Sequence, residues 1–173
     1  MNSTKREMLM QKLPAAADIL ALVPVSGEKG RNATVIHTIT GACLTLAATT
    51  EYVLSCLAER EDKELRLIRQ NASRRLARRR NIILPILHGC VLAPVVVRRI
   101  PKRHGRLGYI NIAYKPLLAG GGNTTDLALR SGTVIRILWQ LPTVQRLVCE
   151  GRAVHYKLLL DVQQQLRRAE EFA

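Results

Sequence analysis

The sequence predicts a single α+β domain spanning residues 1–173, built mostly of antiparallel strands and closed by a C-terminal helix. Three observations predict it. Short apolar runs rich in Val, Ile and Thr recur along the chain, bounded by Gly, Pro, Asn and Ser. Two longer segments, 64–79 and 142–168, repeat apolar residues every three or four positions instead. No internal repeat and no second composition regime is visible, and 173 residues are enough for one core without disulfides or metal.

Residues 1–13 form a loose start. Ala17 to Val25 is a first strand, closed by the turn-rich Ser26-Gly27-Glu28-Lys29-Gly30. Thr34 to Leu46 gives one or two strands, broken at Gly41. Thr50 to Ala58 supplies a helical turn or two. From Glu64 to Arg79, Leu65, Ile68, Ala72 and Leu76 fall on one helical face with Arg74 and Arg78 opposite. Two strands follow, Asn81 to Leu87 and Cys90 to Val97, turning at His88-Gly89. The apolar run Ile82 to Val97 is too short for a bilayer span and holds Pro85, His88, Gly89 and Pro94.

The segment Arg98 to Arg106 is a basic loop, because Pro101 and Gly105 exclude a helix. Leu107 to Tyr114 alternates as a strand, and Ala119-Gly120-Gly121-Gly122-Asn123 is a flexible loop. Thr125 to Leu129 and Thr133 to Leu138 make a hairpin around Arg130-Ser131-Gly132. Pro142 suits the first turn of the final helix, whose stripe runs through Leu147, Gly151, Val154, Leu158, Val162 and Leu166. If that helix breaks, it breaks at Gly151.

Charge says most about function. The chain has 27 Lys and Arg against 13 Asp and Glu, a net +14. No Asp or Glu occurs between Leu65 and Thr125, so acids are excluded there as well as bases enriched. Such a balance calls for a polyanionic partner: DNA, RNA or an anionic membrane face. Gln11, Lys12 and Asp18 interrupt any apolar export segment. The four cysteines are single, scattered and apolar-flanked, which points to a reducing compartment, so the expected location is cytoplasmic, with no membrane association. The candidate nucleic-acid contacts are Arg74, Arg75, Arg78, Arg79, Arg80, Arg98, Arg99, Lys102, Arg103 and Arg106. Arginine suits phosphate contact and insertion into a narrow A·T-rich minor groove.

Other chemistries are poorly supplied. The middle of the chain lacks the carboxylates that acid–base catalysis needs, and the acids Glu59, Glu61, Asp62 and Glu64 make one charged turn. His37, His88, His104 and His155 have no ligand spacing. Cys43, Cys56, Cys90 and Cys149 make no C-x-x-C pair. Gly120-Gly121-Gly122 lacks the Gly-Lys-Ser/Thr ending of a phosphate-cradling loop. No enzyme activity, cofactor or metal is expected. Tyr52, Tyr109, Tyr114, Trp139, Tyr156 and Phe172 are too few for base stacking on single strands. An RNA-binding or ribosome-associated protein remains the alternative with the same basic face. A non-catalytic protein–protein module is a third reading.

From Arg79 onward the order of segments resembles the competence transcription factor ComK family. Arg80-Asn81-Ile82-Ile83-Leu84-Pro85-Ile86 stands for the family's basic residue and extended Pro-Ile element. Cys90 to Val97 stands for the Phe-Pro-Thr-x-Ser strand, with Val95 and Val97 in place of Thr and Ser. Gly108-Tyr109-Ile110-Asn111-Ile112 replaces the Trp strand. Thr125 to Gly132 resembles the hairpin, with Ser131 for the turn asparagine, and a helix closes the domain. The segment 64–79 is helical where the family has loop or strand. The resemblance implies an activator of DNA-uptake genes that binds paired A·T-rich boxes in double-stranded DNA, largely through the minor groove. It also implies a homo-oligomer controlled by a Clp protease adaptor. Two-fold pairing through Val162 and Leu166 is the expected oligomer contact.

Overall fold

A computed structural model describes residues 3–99 and 105–171. In chain order the elements are α1 (Ser3–Lys12), β1 (Ile19–Ser26), β2 (Asn32–Thr38), β3 (Cys43–Leu46), α2 (Thr50–Arg60) and α3 (Leu65–Arg75). Then come β4 (Leu84–Leu87), β5 (Cys90–Val96), β6 (Leu107–Asn111), β7 (Leu117–Gly121), β8 (Thr124–Ala128), β9 (Val134–Ile137) and α4 (Leu141–Glu171). The first six strands form one antiparallel sheet in the order β3-β2-β1-β6-β5-β4. The last three form an antiparallel meander, β7-β8-β9. The α+β class and the closing helix are as the sequence predicts.

The large sheet is covered on both faces, which explains why β5 is buried along its whole length. Against one face pack Leu54 and Leu57 of α2 and Ile68 of α3, meeting Ile19, Leu22, Ile36, Leu84, Leu92 and Tyr109. Against the other pack Leu127, Ile135 and Ile137 of the meander and Val144 and Leu147 of α4, meeting Ala21, Val91, Ala93, Val95 and Ile110. Alternation along each strand sends successive side chains to the two cores. Truncating one of the fully buried leucines would cost about 2–5 kcal/mol.

Asn111 stitches this centre together. Its Oδ1 accepts from the Val91 and Ala113 amides, both at 3.1 Å, and its Nδ2 donates to the Ile19 carbonyl at 2.8 Å and the Gly89 carbonyl at 3.0 Å. All four hydrogen-bonding positions of this buried amide are filled, which is what burial of a polar group requires.

A repeat invisible in the sequence emerges here. β1-β2-β3-α2 and β7-β8-β9-α4 are the same unit, a three-strand meander followed by a helix. Their registers correspond at one constant offset. Thr34 faces Leu46 and Ile36 faces Leu44, as Thr125 faces Ile137 and Leu127 faces Ile135. Thr34 Oγ1 donates to the Ala48 carbonyl at 2.8 Å, and Thr125 Oγ1 to the Trp139 carbonyl at 2.8 Å. Gly41 and Gly132 both turn their hairpins at φ +85°. Val53 and Val144 are both fully buried in the first turns of their helices. The expectation of no internal repeat is therefore corrected: few residue identities survive between the units, while the register and the burial pattern do.

Four local expectations also change. Residues 3–12 are helical, not loose. Arg6 Nε donates to Glu59 at 2.7 Å and its guanidinium lies 5.8 Å from the Tyr52 ring, fixing α1 on α2. Ala119 to Gly121 belong to β7 and only the hairpin turn remains of the expected flexible loop. Gly120 is there because α4 crosses it: a Cβ would lie 2.9 Å from the Leu141 side chain. The helix expected to reach Arg79 ends at Arg75, because Ala77 adopts φ 48° and Ser73 Oγ bonds the Arg78 carbonyl. Finally, α4 runs unbroken through Gly151, whose missing Cβ admits Ile112, with contacts of 3.0–3.2 Å to a Cβ placed there.

Candidate nucleic-acid interface

The antiparallel register gathers the basic segments. Val96 at the end of β5 faces Leu107 at the start of β6. Leu84 at the start of β4 faces Leu92, so residues preceding β4 run toward that same end of β5. β1 finishes there too, with Ser26 paired to Asn32. Arg98, Arg99 and Arg106, on the connection between β5 and β6, thus leave the sheet at the same end as Arg79 and Arg80, which come from a separate segment before β4. Arg31, in the turn between β1 and β2, is exposed at the same end. It was missed because it lies outside the acid-free window, and only strand register reveals it.

The ten predicted residues do not all have the same role. Arg74, Arg75, Arg79, Arg80, Arg99 and Arg106 are exposed. Arg74 donates to Asn71 Oδ1 at 2.8 Å, a neutral neighbour on its own helix. Arg78 is half-buried and meets Glu150 of α4 at 2.5 Å, so its charge is committed to holding α3 and α4 together. Arg98 donates to Ser26 Oγ at 2.7 Å, and its other amino nitrogen is buried without an acceptor among the described residues. Lys102 and Arg103 lie outside the described residues.

A cavity of about 400 Å³ opens at this end of the sheet. Thr49, Thr50 and Glu51 from the start of α2 line it, with Arg69, Arg79 and Arg80 and with Pro94, Leu107 and Tyr109 of the sheet. Thr49 caps α2, accepting from the Tyr52 amide at 3.3 Å, and Thr50 Oγ1 donates to the Leu107 carbonyl at 3.3 Å. These bonds fix the helix start against β6. Arg69 Nη2 donates to Glu51 Oε2 at 2.7 Å, and its second amino group bonds Oε1. That fork raises the Arg69 pKa, with Tyr109 adding to it. Arg69 and Glu51 were not among the predicted contacts, since nothing local pairs residues on two different helices.

Cys56 and Cys90 are buried, and burial pushes the Cys90 thiol up to about 12, which leaves it protonated and unreactive at neutral pH. Among the described residues no three His, Cys, Asp or Glu side chains gather as a metal site. No described helix is long and apolar enough to cross a membrane. Comparison with known proteins finds no matching family, no matching curated protein and no matching solved structure.

Proposed function

We propose that this protein binds double-stranded DNA through the arginine-rich end of its large sheet and acts as a transcription regulator. One observation carries the reading: strand register brings Arg79 and Arg80, which precede β4, to the same end as the arginines of the β5–β6 connection, and the stretch that supplies both contains no acid. Uncompensated positive charge concentrated this way matches a phosphate backbone. The scarcity of exposed aromatics favours a duplex over a single strand. Arginine side chains on such a surface suit an A·T-rich minor groove, whose narrow walls deepen the negative potential. The resemblance to the ComK family supports the same substrate and an activating role at DNA-uptake genes.

The active form is a homo-oligomer paired through the distal half of α4. That helix is about 46 Å long at 1.5 Å per residue, and Val154 and Leu158 are its last residues packed on the core. Beyond them Leu159, Leu160 and Leu166 are exposed. An antiparallel pair centred between Val162 and Leu166 would bury those two residues together with Leu159, which share one face of the helix. It would also set Asp161 of each copy beside Arg168 of the other, matching opposite charges across the pair.

Titrating the protein at one fixed salt concentration against an A·T-rich duplex, a G·C-rich duplex and a structured RNA tests the reading. The A·T-rich duplex should bind most tightly. Tighter binding to the RNA would favour an RNA-binding role, and no binding to any would leave a protein–protein module.

A further inference from the structure

We infer that the cavity at the start of α2 is a seat for one phosphate group, held by Arg79 and Arg80 with Arg69 at its wall. The inference rests on the DNA reading above only for the carrier, a backbone phosphate of the duplex.

Charge is the first argument. Three arginines and one glutamate line the cavity, and the glutamate is already engaged in a two-pronged bond by Arg69. Arg79 and Arg80 have neither an ion pair nor a hydrogen bond to any described side chain. Adjacent like charges around a partly enclosed space repel one another, and an anion between them removes that repulsion. A guanidinium fork fits the oxygens of a phosphate, and two forks can share one tetrahedral group.

Placement is the second. The residues flanking this pair are fixed from both sides. Ala77 and Asn81 take left-handed backbone conformations at φ 48° and φ 50°; asparagine accepts this region readily, while at Ala77 it costs roughly 1–2 kcal/mol. Arg78 between them is clamped to Glu150, and its carbonyl is held by Ser73. The chain therefore presents Arg79 and Arg80 at the cavity from an anchored turn. Size is the third: about 400 Å³ falls within the range of small-ligand sites and admits a phosphate with the sugar that bears it. The first turn of α2 at the cavity wall adds a field favourable to an anion.

The test uses the full chain, inorganic phosphate as one probe and an A·T-rich duplex as the other. Thermal melts compare phosphate with chloride at equal ionic strength. At about ten times its dissociation constant, phosphate should raise Tm by roughly 3–6 °C. Arg79→Gln/Arg80→Gln should abolish that rise, while Arg74→Gln/Arg75→Gln, which removes the same charge outside the cavity, should keep it. Duplex affinity should fall about tenfold further in the first double variant than in the second. Arg80→Gln alone serves if the double variant does not fold, and should lose most of the rise. No rise in the unmodified protein, or a rise that survives Arg79→Gln/Arg80→Gln, overturns the seat. A rise lost on substitution with equal duplex affinities in both double variants supports the seat and assigns it to a free phosphate compound. A rise without any duplex binding supports the seat and overturns the DNA reading.

Discussion

Salt dependence is where the arginine inventory becomes a number. Arg74, Arg75, Arg79, Arg80, Arg99 and Arg106 are exposed and meet no carboxylate among the described residues. If each neutralises one phosphate, log K against log salt should fall with a slope of about −5, because each contact releases about 0.9 of a counterion. Lys102 and Arg103, if they also reach phosphates, take the slope to about −7. A fourfold rise in salt, from about 50 to 200 mM, then weakens binding by roughly a thousand- to ten-thousandfold. Fluorescence anisotropy of a labelled duplex across that range measures it directly. Single variants give the sharper reading. Arg79→Gln should make the slope shallower by about 0.9. Arg78→Gln should leave the slope unchanged and lower thermal stability, since Arg78 is committed to Glu150. A slope near zero refutes any nucleic-acid reading. Equal loss of slope in the two variants refutes the division into contact and structural arginines.

Three further outcomes follow from particular residues. Asn111→Ala strands two amides and two carbonyls, so it should destabilise by at least about 3 kcal/mol and lower Tm by roughly 6 °C or more in calorimetry. Burial holds His37 below its ordinary value, so the unfolded chain protonates first: its contribution is complete above about pH 6.5 and is lost as the pH falls through the lower folded value. His37→Gln should flatten that loss in melts between about pH 7.5 and 5, and an unchanged profile would exclude His37 as its source. Ending the chain after Leu158 keeps the core contacts of α4 and removes the pairing stripe, so sedimentation should show a folded monomer; an unchanged oligomer would place pairing elsewhere.

The elements legible in the sequence were those whose signals are local. The strand break at Gly41, the hairpin around Gly132 and the final helix were each marked by a turn residue or by a three-and-four spacing of apolar residues. What was illegible depended on partners far along the chain. Arg6 fixes α1 through Glu59, and Leu141 explains Gly120, yet neither pair is near in sequence. A Gly-Gly-Gly run therefore looks like a loop until the helix that crosses it is in place. The candidate site divided the same way. The acid-free window found the arginines, because charge composition survives without knowledge of the fold. It did not separate Arg78, which faces Glu150, from Arg79, one residue away and exposed. That distinction is made by the left-handed Ala77 and the turn it starts, and nothing in the residue types announces it.

The two copies of the meander-and-helix unit explain why the basic end is where it is. In the second unit the helix start is closed, because Leu141 lies on the bare backbone of Gly120. In the first, the corresponding neighbour of the helix start is not its own meander but β6, contributed from outside the unit through Thr50 and Leu107. Inserting β6 beside β1 extends the three-strand meander into a six-strand sheet and brings β5 and β4 with it. The connections of those added strands are the segments that carry Arg79, Arg80, Arg98, Arg99 and Arg106. The added strands therefore do two things at once: they give the second unit a face to pack on, and the segment leading into them places Arg79 and Arg80 beside the start of α2. Divergence between the repeats follows from that division. The residues shared between them lie in the hairpins and the buried first turns, where both units need the same backbone. The first unit's helix stops after 11 residues inside the core, while the second continues for 31 and leaves Leu159, Leu160 and Leu166 of its distal half exposed.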